Sequence, residues 1–161
     1  MALVAEALFR DDAYLTSAAA KVVAVNEGGG ILLDRTVFYA TSGGQPGDTG
    51  VLRRADGTAI AIAGTVTGET KDEIIHLPAA GEALPEPGEE LTAEIDWDRR
   101  LKLMRMHTAC HLLTVVCPYP ITGASVGEED SRVDFDIPDA AMAREEVTAR
   151  LMELVEAAHP V

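Results

Sequence analysis

The sequence has few of the features that would place a protein outside the cell or in a membrane. It contains two cysteines, Cys110 and Cys117, which lie about two turns apart on one predicted helix and are therefore too distant for a disulfide. No apolar run approaches the roughly 20 residues that cross a bilayer. Residues 1–10 include acidic Glu6 and lack the basic start of a signal peptide. We therefore expect a reduced, cytoplasmic protein with no membrane partner.

Positive charge is also scarce. The chain has 13 lysines and arginines against 27 aspartates and glutamates, which gives a formal net charge of −14 at pH 7. Because phosphate contacts need basic side chains, this balance opposes nucleic-acid binding through bulk electrostatics and leaves only local contact. One basic cluster indicates either a solvated helix start or a phosphate contact. Its members are Arg99, Arg100, Lys102 and Arg105.

Two catalytic motifs are missing. No glycine-rich loop is followed by the lysine that a phosphate loop requires, so nucleotide binding is poorly supported. A helix-borne zinc protease needs a glutamate directly after its first histidine, and Thr108 occupies that position after His107. The sequence therefore disfavours a protease. A chain of 161 residues can bury one good core or two small ones.

The most informative segment is a predicted helix that contains two histidines. Residues 98–117 include no glycine or proline, and Pro118 follows them. His107 and His111 are one turn apart, so their side chains project from the same side of the helix. Two imidazoles at this spacing can bind one divalent metal ion, and zinc is the usual occupant. The alternative is a pair of histidines that packs against a core with satisfied hydrogen bonds.

Residues 1–93 are predicted to form a small β-barrel or sandwich. Short runs of small and β-branched residues alternate with turn signals, among them Asp56-Gly57 between two apolar runs. Residues 38–50 interrupt these strands with a glycine-rich loop. This loop is either an ordinary barrel connection or a functional loop, and its length and polarity make it a candidate for function.

Proline-rich residues 77–89 are the strongest linker signal, and the pattern changes after them. Residues 94–161 alternate strand and helix patterns, starting from the strand at 90–97. This order predicts an α+β region with helices packed on an antiparallel sheet, which makes the whole chain an α+β protein. The last helix is predicted to begin at Pro138-Asp139. Its expected buried stripe consists of Val147, Leu151, Leu154, Val155 and Ala158.

Three segments, in this order, resemble the motifs of alanyl-tRNA synthetase editing regions and of free-standing alanyl-tRNA editing proteins of the AlaX type. Residues 38–50, FYATSGGQPGDTG, resemble the glycine-rich motif. Residues 107–113, HTACHLL, match the first half of the zinc motif. Residues 123–125 and 132–136, GAS and RVDFD, resemble the segment that follows it. Three ordered motifs across roughly 100 residues make coincidence a poor explanation.

The resemblance implies a small β-barrel followed by an editing domain that is shared with threonyl-tRNA synthetase. It also implies an aminoacyl-tRNA hydrolase whose partner is aminoacylated alanine tRNA and whose reaction releases serine, in some members glycine, from that tRNA. Such editing is needed because a pocket shaped for alanine cannot strongly reject a similar molecule that adds a hydroxyl. The alternative is a non-catalytic module that binds tRNA or another protein.

The resemblance further implies that His107 and His111 bind one zinc ion as the first half of its site. The family completes the site with a cysteine and a histidine from a later segment, and we expect these ligands beyond Val161. Two histidines fall short of the three or four protein ligands usual for zinc, so we expect weak metal binding and no activity from these residues alone. Cys110 lies on the other side of His107 and does not replace the missing ligands.

Four further residues are candidates for substrate contact under the same resemblance. Thr122 and Ser125, expected in the turn after the helix, offer hydroxyls to a serine side chain, although ordinary turn chemistry also accounts for each of them. Gln45 and Asp48 in the glycine-rich loop are expected to brace the pocket or the acceptor end of the tRNA. Whether the metal orients the aminoacyl end or activates a water stays open.

Overall fold

The computed structural model describes residues 4–137 and 142–160. The chain divides into two compact units, Met1–Arg100 and Leu101–Val161. In the part of the chain that the structure describes, no helix is long and apolar enough to span a membrane.

The first unit is built around a closed antiparallel barrel. In chain order the strands of this unit are β1 (Glu6–Ala7), β2 (Ser17–Val25), β3 (Ile31–Leu33), β4 (Arg35–Thr36), β5 (Gly50–Arg54), β6 (Ala59–Thr67), β7 (Ile74–Pro78) and β8 (Glu90–Ile95). The barrel closes in the order β2-β3-β7-β6-β5-β8. β1 and β4 form a separate parallel pair, and a short 3-10 helix, Leu8–Arg10, follows β1. The predicted barrel is therefore confirmed.

Alternating apolar residues explain why these segments form barrel strands. In β6, Ile60 and Ile62 are buried while the residues beside them are more exposed, as expected when every second side chain faces the core. The predicted turn at Asp56-Gly57 joins β5 to β6 and is confirmed. The Thr58 N–H donates to Asp56 Oδ1 at 2.8 Å, and Gly57 has a φ of 87°, which a residue with a side chain rarely adopts.

One histidine, His76 on β7, is fully buried in the first unit. Its Nδ1 donates to the Ile31 carbonyl at 2.9 Å, so its Nε2 is left to accept from the Thr36 hydroxyl at 2.8 Å. The Thr36 oxygen in turn accepts the Phe38 N–H at 3.0 Å. The Phe38 ring packs edge-on against the imidazole, with ring centroids 5.1 Å apart. Burial lowers the pKa of His76 to about 4, so the imidazole is neutral at pH 7.

Strand β8 belongs to the barrel. It pairs with β2 on one side and β5 on the other. Leu91, Ala93 and Ile95 are buried in the barrel core. Both of its edges and its apolar face are used to close the barrel, as expected for the last strand of the predicted barrel, and the predicted division of the chain between residues 93 and 94 stays a prediction.

The second unit contains most of helix α1 (Trp97–Val116), strands β9 (Ile121–Ser125) and β10 (Arg132–Phe135), and helix α2 (Arg144–Ala157). β9 and β10 form a two-stranded antiparallel sheet in which Ser125 pairs with Arg132. The α+β class is therefore confirmed, and the packing of both helices on a sheet stays a prediction.

The ends of α1 agree with the signals in the sequence. At the start of α1, the Asp96 carboxylate accepts the Arg99 N–H at 3.1 Å, and the helix ends before Pro118. The predicted start of α2, at residues 138–139, lies outside the described residues. The described side chains of α2 include none that is buried, and Val155 is 47% exposed, so the predicted buried stripe is wrong. A unit of about 60 residues has little interior to offer a second helix.

Candidate functional site

The two histidines of the predicted metal motif lie side by side on α1. Their ring centroids are 5.1 Å apart, and the ring planes differ by 17°. His107 is half-buried and His111 is exposed, so solvent reaches the pair. Burial, and then the charge of His111, lowers the pKa of His107. A lowered pKa favours the neutral imidazole, which is the form that binds a metal ion.

The donor set at this pair fits part of a zinc site. Imidazole nitrogen is an ordinary zinc ligand, and two imidazoles supply half of a tetrahedral site. Within residues 4–137 and 142–160, however, no group of three or more histidine, cysteine, aspartate or glutamate side chains could hold a metal ion. Zinc binding by His107 and His111 therefore stays a prediction, and it requires ligands that the described residues do not supply.

Cys110 does not join the histidine pair in such a group. Burial raises the pKa of its thiol, although a hydrogen bond with Ser131 acts in the opposite direction. Zinc binds the thiolate rather than the thiol. The environment of Cys110 therefore disfavours the form that would bind a metal.

The glycine-rich loop, residues 38–50, has a tight hairpin at its tip. The Ser42 N–H donates to the Gln45 carbonyl at 3.1 Å, and the Gln45 N–H donates to the Ser42 carbonyl at 2.9 Å. Between them, Gly43 and Gly44 have φ angles of 58° and 79°, in the left-handed region that both central residues of a type I′ turn require. Residues 41–44, the loop tip, are exposed. The loop tip therefore offers backbone to solvent with no side chain at two positions.

Both polar residues predicted in this loop are buried. Gln45 is 5% exposed and Asp48 is 1% exposed. The Asp48 carboxylate accepts the Tyr39 N–H at 2.7 Å and the Arg100 Nε–H at 2.9 and 3.0 Å. This carboxylate therefore faces the interior of the first unit, and the bracing role expected for Gln45 and Asp48 stays a prediction.

Arg100 contacts the glycine-rich loop, and the sequence did not predict this contact. The sequence places it among four basic residues at a helix start, yet it is 2% exposed and forms an ion pair with Asp48. Its neighbour Arg99 donates to a carbonyl of the glycine-rich loop at 2.8 Å. Lys102 and Arg105 are the exposed members of the cluster. The phosphate contact considered for the cluster therefore reduces to these two exposed side chains.

The two predicted hydroxyl contacts lie on β9. Thr122 and Ser125 are exposed, and the Thr122 hydroxyl donates to the Asp134 carbonyl at 3.3 Å. The expectation that both residues belong to a turn is wrong, because both lie in strand β9, where Ser125 pairs with Arg132 and the register shifts at Thr122. Substrate contact by either hydroxyl stays a prediction.

A match to a family model decides which family the chain represents. The model for the tRNA synthetases class II (A) matches residues 7–99, which is more than half of the chain. The chain belongs to this family. This member of the class II (A) family is similar to the alanyl-tRNA editing protein AlaX-M of Methanosarcina mazei. The two sequences are 43% identical over 139 residues, which cover 82% of this chain and 55% of the relative.

Two other relatives are also an alanine–tRNA ligase and an AlaX-M protein. The alanine–tRNA ligase of Pyrobaculum aerophilum is 46% identical over 106 residues, or 66% of this chain and 11% of that ligase. AlaX-M of Saccharolobus solfataricus is 34% identical over 136 residues, or 82% of this chain and 56% of the relative. The resemblance to AlaX-type alanyl-tRNA editing proteins is therefore confirmed. This class II (A) family member spans about half the length of the AlaX-M relatives it matches.

Proposed function

We propose that this chain is part of a hydrolase that edits aminoacyl-tRNA in trans, by removing serine or glycine from mischarged alanine-specific tRNA. The observation that supports this proposal is the pair His107 and His111, side by side and open to solvent on α1. The pair occurs in a chain that is similar over 82% of its length to a protein named alanyl-tRNA editing protein. An exposed imidazole pair suits a hydrolytic metal centre better than a packing role.

The proposed reaction is hydrolysis of the ester that joins the amino acid to the terminal ribose. Water adds to the ester carbonyl, and the bond to the ribose oxygen breaks, which leaves a free amino acid and an uncharged tRNA. His107 and His111 would hold a zinc ion together with further ligands that the described residues do not supply. When bound, zinc supplies a Lewis acid that polarises the carbonyl or lowers the pKa of a water.

The chain's other predicted residues have supporting roles in this proposal. Thr122 and Ser125 offer exposed hydroxyls to the serine side chain of the substrate. A site that hydrogen-bonds this hydroxyl rejects alanine, which lacks it, so correctly charged tRNA is spared. Gln45 and Asp48 brace the glycine-rich loop from inside.

The test uses the natural protein that contains these residues. We expect it to release serine from seryl-tRNA specific for alanine much faster than it releases alanine from correctly charged tRNA. The double variant His107→Ala, His111→Ala should lose this release and its zinc, measured by radiolabelled deacylation and by elemental analysis. His159→Ala, an exposed histidine beyond α2, is the matched control. Full activity in the double variant would contradict the metal-centred proposal.

A second candidate is a non-catalytic module that binds tRNA or another protein. The described residues lack a complete metal-ligand group, which a non-catalytic module does not need, and the net charge of −14 favours a protein partner over a large RNA interface within this alternative. This alternative predicts tRNA or protein binding without deacylation. The non-catalytic alternative would be rejected if the purified protein contains stoichiometric zinc and the double histidine variant loses both the zinc and the release of serine.

A further inference from the structure

A buried guanidinium lies at the first turn of α1 and holds the base of the glycine-rich loop. Arg100 donates from Nη2 to the Val37 carbonyl at 2.7 Å and from Nη1 to the Ala13 carbonyl at 3.0 Å. Its Nε and Nη2 both donate to the Asp48 carboxylate. Val37 directly precedes the loop and Asp48 lies near its far end. One side chain therefore connects both ends of residues 38–50.

The same two ends are also joined to each other. The Asp48 carboxylate accepts the Tyr39 N–H at 2.7 Å, and the Asp48 N–H donates to the Tyr39 carbonyl at 2.9 Å. The Tyr39 hydroxyl reaches further along the loop and donates to the Ser42 carbonyl at 2.9 Å. The base of the loop is therefore a closed hydrogen-bonded ring around one carboxylate.

A second set of bonds fixes the middle of the loop to β6. The Thr41 N–H donates to the Thr65 carbonyl at 3.0 Å, and the Thr65 hydroxyl donates to the Asp48 carbonyl at 2.9 Å. The Gly47 N–H donates to the Thr41 hydroxyl at 2.8 Å. The Gly47 carbonyl accepts from Arg99 at 2.8 Å. Polar bonds therefore hold the loop up to its exposed tip, residues 41–44.

An ordinary connection between strands does not need a buried ion pair. Removing a guanidinium and a carboxylate from water costs several kcal/mol per ion, while neutral hydrogen bonds suffice for most loops. The pair also constrains geometry, because a planar guanidinium presents its N–H donors in a rigid fork that matches a carboxylate. The pair Arg100–Asp48 is therefore suited to fix the shape of the glycine-rich loop.

We propose that Arg100 is a positioning residue that holds the glycine-rich loop in the shape in which its tip contacts the single-stranded 3′ end of the RNA. Gly43 and Gly44 at the loop tip have no side chains, so the RNA backbone can approach their peptide groups closely. The proposal rests on the proposed function for its ligand. The shape of the loop itself can be tested without any RNA.

The first experiment compares Arg100→Lys with Arg53→Lys by amide hydrogen exchange. Arg53 forms a similar two-pronged ion pair with Glu94, at 3.0 and 2.8 Å, but on the exposed barrel surface. We expect Arg100→Lys to speed exchange of the Tyr39 and Asp48 amides by at least about tenfold while barrel amides are unchanged. Arg53→Lys should leave the loop amides as in the parent protein.

Unchanged loop amides in Arg100→Lys would overturn the proposal. Where Arg100→Lys does not fold, the double variant Arg100→Gln, Asp48→Asn gives the same comparison, because it removes both charges together and leaves neither of them buried and unpaired. Loss of the whole barrel in both variants would also overturn the proposal, since the pair would then serve the entire unit rather than the loop.

The second experiment measures binding of two RNA hairpins that reproduce the acceptor stem of an alanine tRNA, one with and one without the single-stranded 3′ end. The parent protein and Arg53→Lys should prefer the hairpin with the 3′ end. Arg100→Lys should lose this preference and retain its affinity for the blunt hairpin. Parent protein that binds neither hairpin would reject the proposed function, whereas a preference that survives in Arg100→Lys would reject only the positioning role.

Discussion

Replacing His76 by asparagine should remove much of the acid sensitivity of the first unit. In the native protein the imidazole is fully buried between the Ile31 carbonyl and the Thr36 hydroxyl. No carboxylate is among these partners, so a proton on this ring would place an unpaired charge in the core. Asparagine keeps a donor near the position of Nδ1 but does not titrate between pH 4 and pH 7.

The magnitude follows from the pKa of His76, which burial lowers from 6.5 to about 4. At about 1.4 kcal/mol per pKa unit, this difference corresponds to about 3 kcal/mol in the free energy of unfolding. The sign is fixed because the unfolded chain binds the proton first. The contribution of neutral His76 to the free energy of unfolding is fully present above pH 6.5, decreases as the pH falls, and is lost near pH 4.

Urea unfolding between pH 7.5 and pH 4.5 measures this effect in the parent protein and in His76→Asn. The acidic residues titrate in both proteins, so the difference between the two curves isolates the histidine. We expect the variant to be less stable than the parent protein at pH 7.5. The difference between their free energies of unfolding should shrink by about 2–3 kcal/mol at pH 4.5.

Ile60→Val is the matched control, because it should cost about 0.5–1.5 kcal/mol in the same core and keeps the imidazole. Its stability should fall with pH in parallel with the parent. Parallel curves for His76→Asn and the parent would refute the reasoning, since His76 would then contribute nothing to the pH dependence.

Three further predictions follow from the structure. Asp48→Ala should lower the free energy of unfolding by about 3–5 kcal/mol because it leaves the Arg100 charge buried and unpaired. Glu94→Ala, which breaks a more exposed ion pair with Arg53, should cost far less in the same denaturation assay. Gly47→Ala should cost about 1–3 kcal/mol or more, since its Cβ would overlap the Thr65 carbonyl oxygen; Gly64→Ala, with open space around it, should be nearly neutral, and equal losses would contradict this packing argument. Burial raises the pKa of the Cys117 thiol, so iodoacetamide at pH 8 should alkylate it at least about tenfold more slowly in the native protein than in urea, as followed by mass spectrometry.

The parts of the fold that sequence analysis predicted are those with short-range signals. Alternation along β6 and the turn at Asp56-Gly57 each depend on neighbouring residues, and both are confirmed. The adjacency of His107 and His111 also follows from their spacing on one helix. Such features need no knowledge of the rest of the chain.

The parts that were missed depend on partners far apart in sequence. Arg100 and Asp48 are separated by 52 residues, and His76 and Thr36 by 40. In sequence Arg100 looks like a solvated helix residue, because nothing local distinguishes a buried arginine from its exposed neighbours. The only local signal is Asp48, a single acidic residue in the glycine-rich loop, and the sequence does not indicate that Arg100 is its partner.

The predicted buried stripe of α2 failed for a related reason. Val155 and Ala158 have helical spacing and the right polarity, yet both are exposed, because periodicity does not report how much surface is present to cover a helix. The described part of the second unit offers a two-stranded sheet and no buried residue on α2. The burial of an amphipathic helix is thus a property of its surroundings.

The internal neutralisation of Arg100 by Asp48 has a consequence for how the proposed RNA binding should respond to ionic strength. A guanidinium sealed against a carboxylate releases no counterions when a phosphate approaches, so of the basic cluster only Lys102 and Arg105 are exposed to do so. At about 0.7–0.9 per phosphate contact, this cluster should contribute a slope of about −2 or less steep when the logarithm of the affinity is plotted against the logarithm of the salt concentration. The proposed RNA contact would therefore draw few counterions from this cluster, and potassium chloride should weaken it less than it weakens RNA binding through a wholly exposed basic cluster.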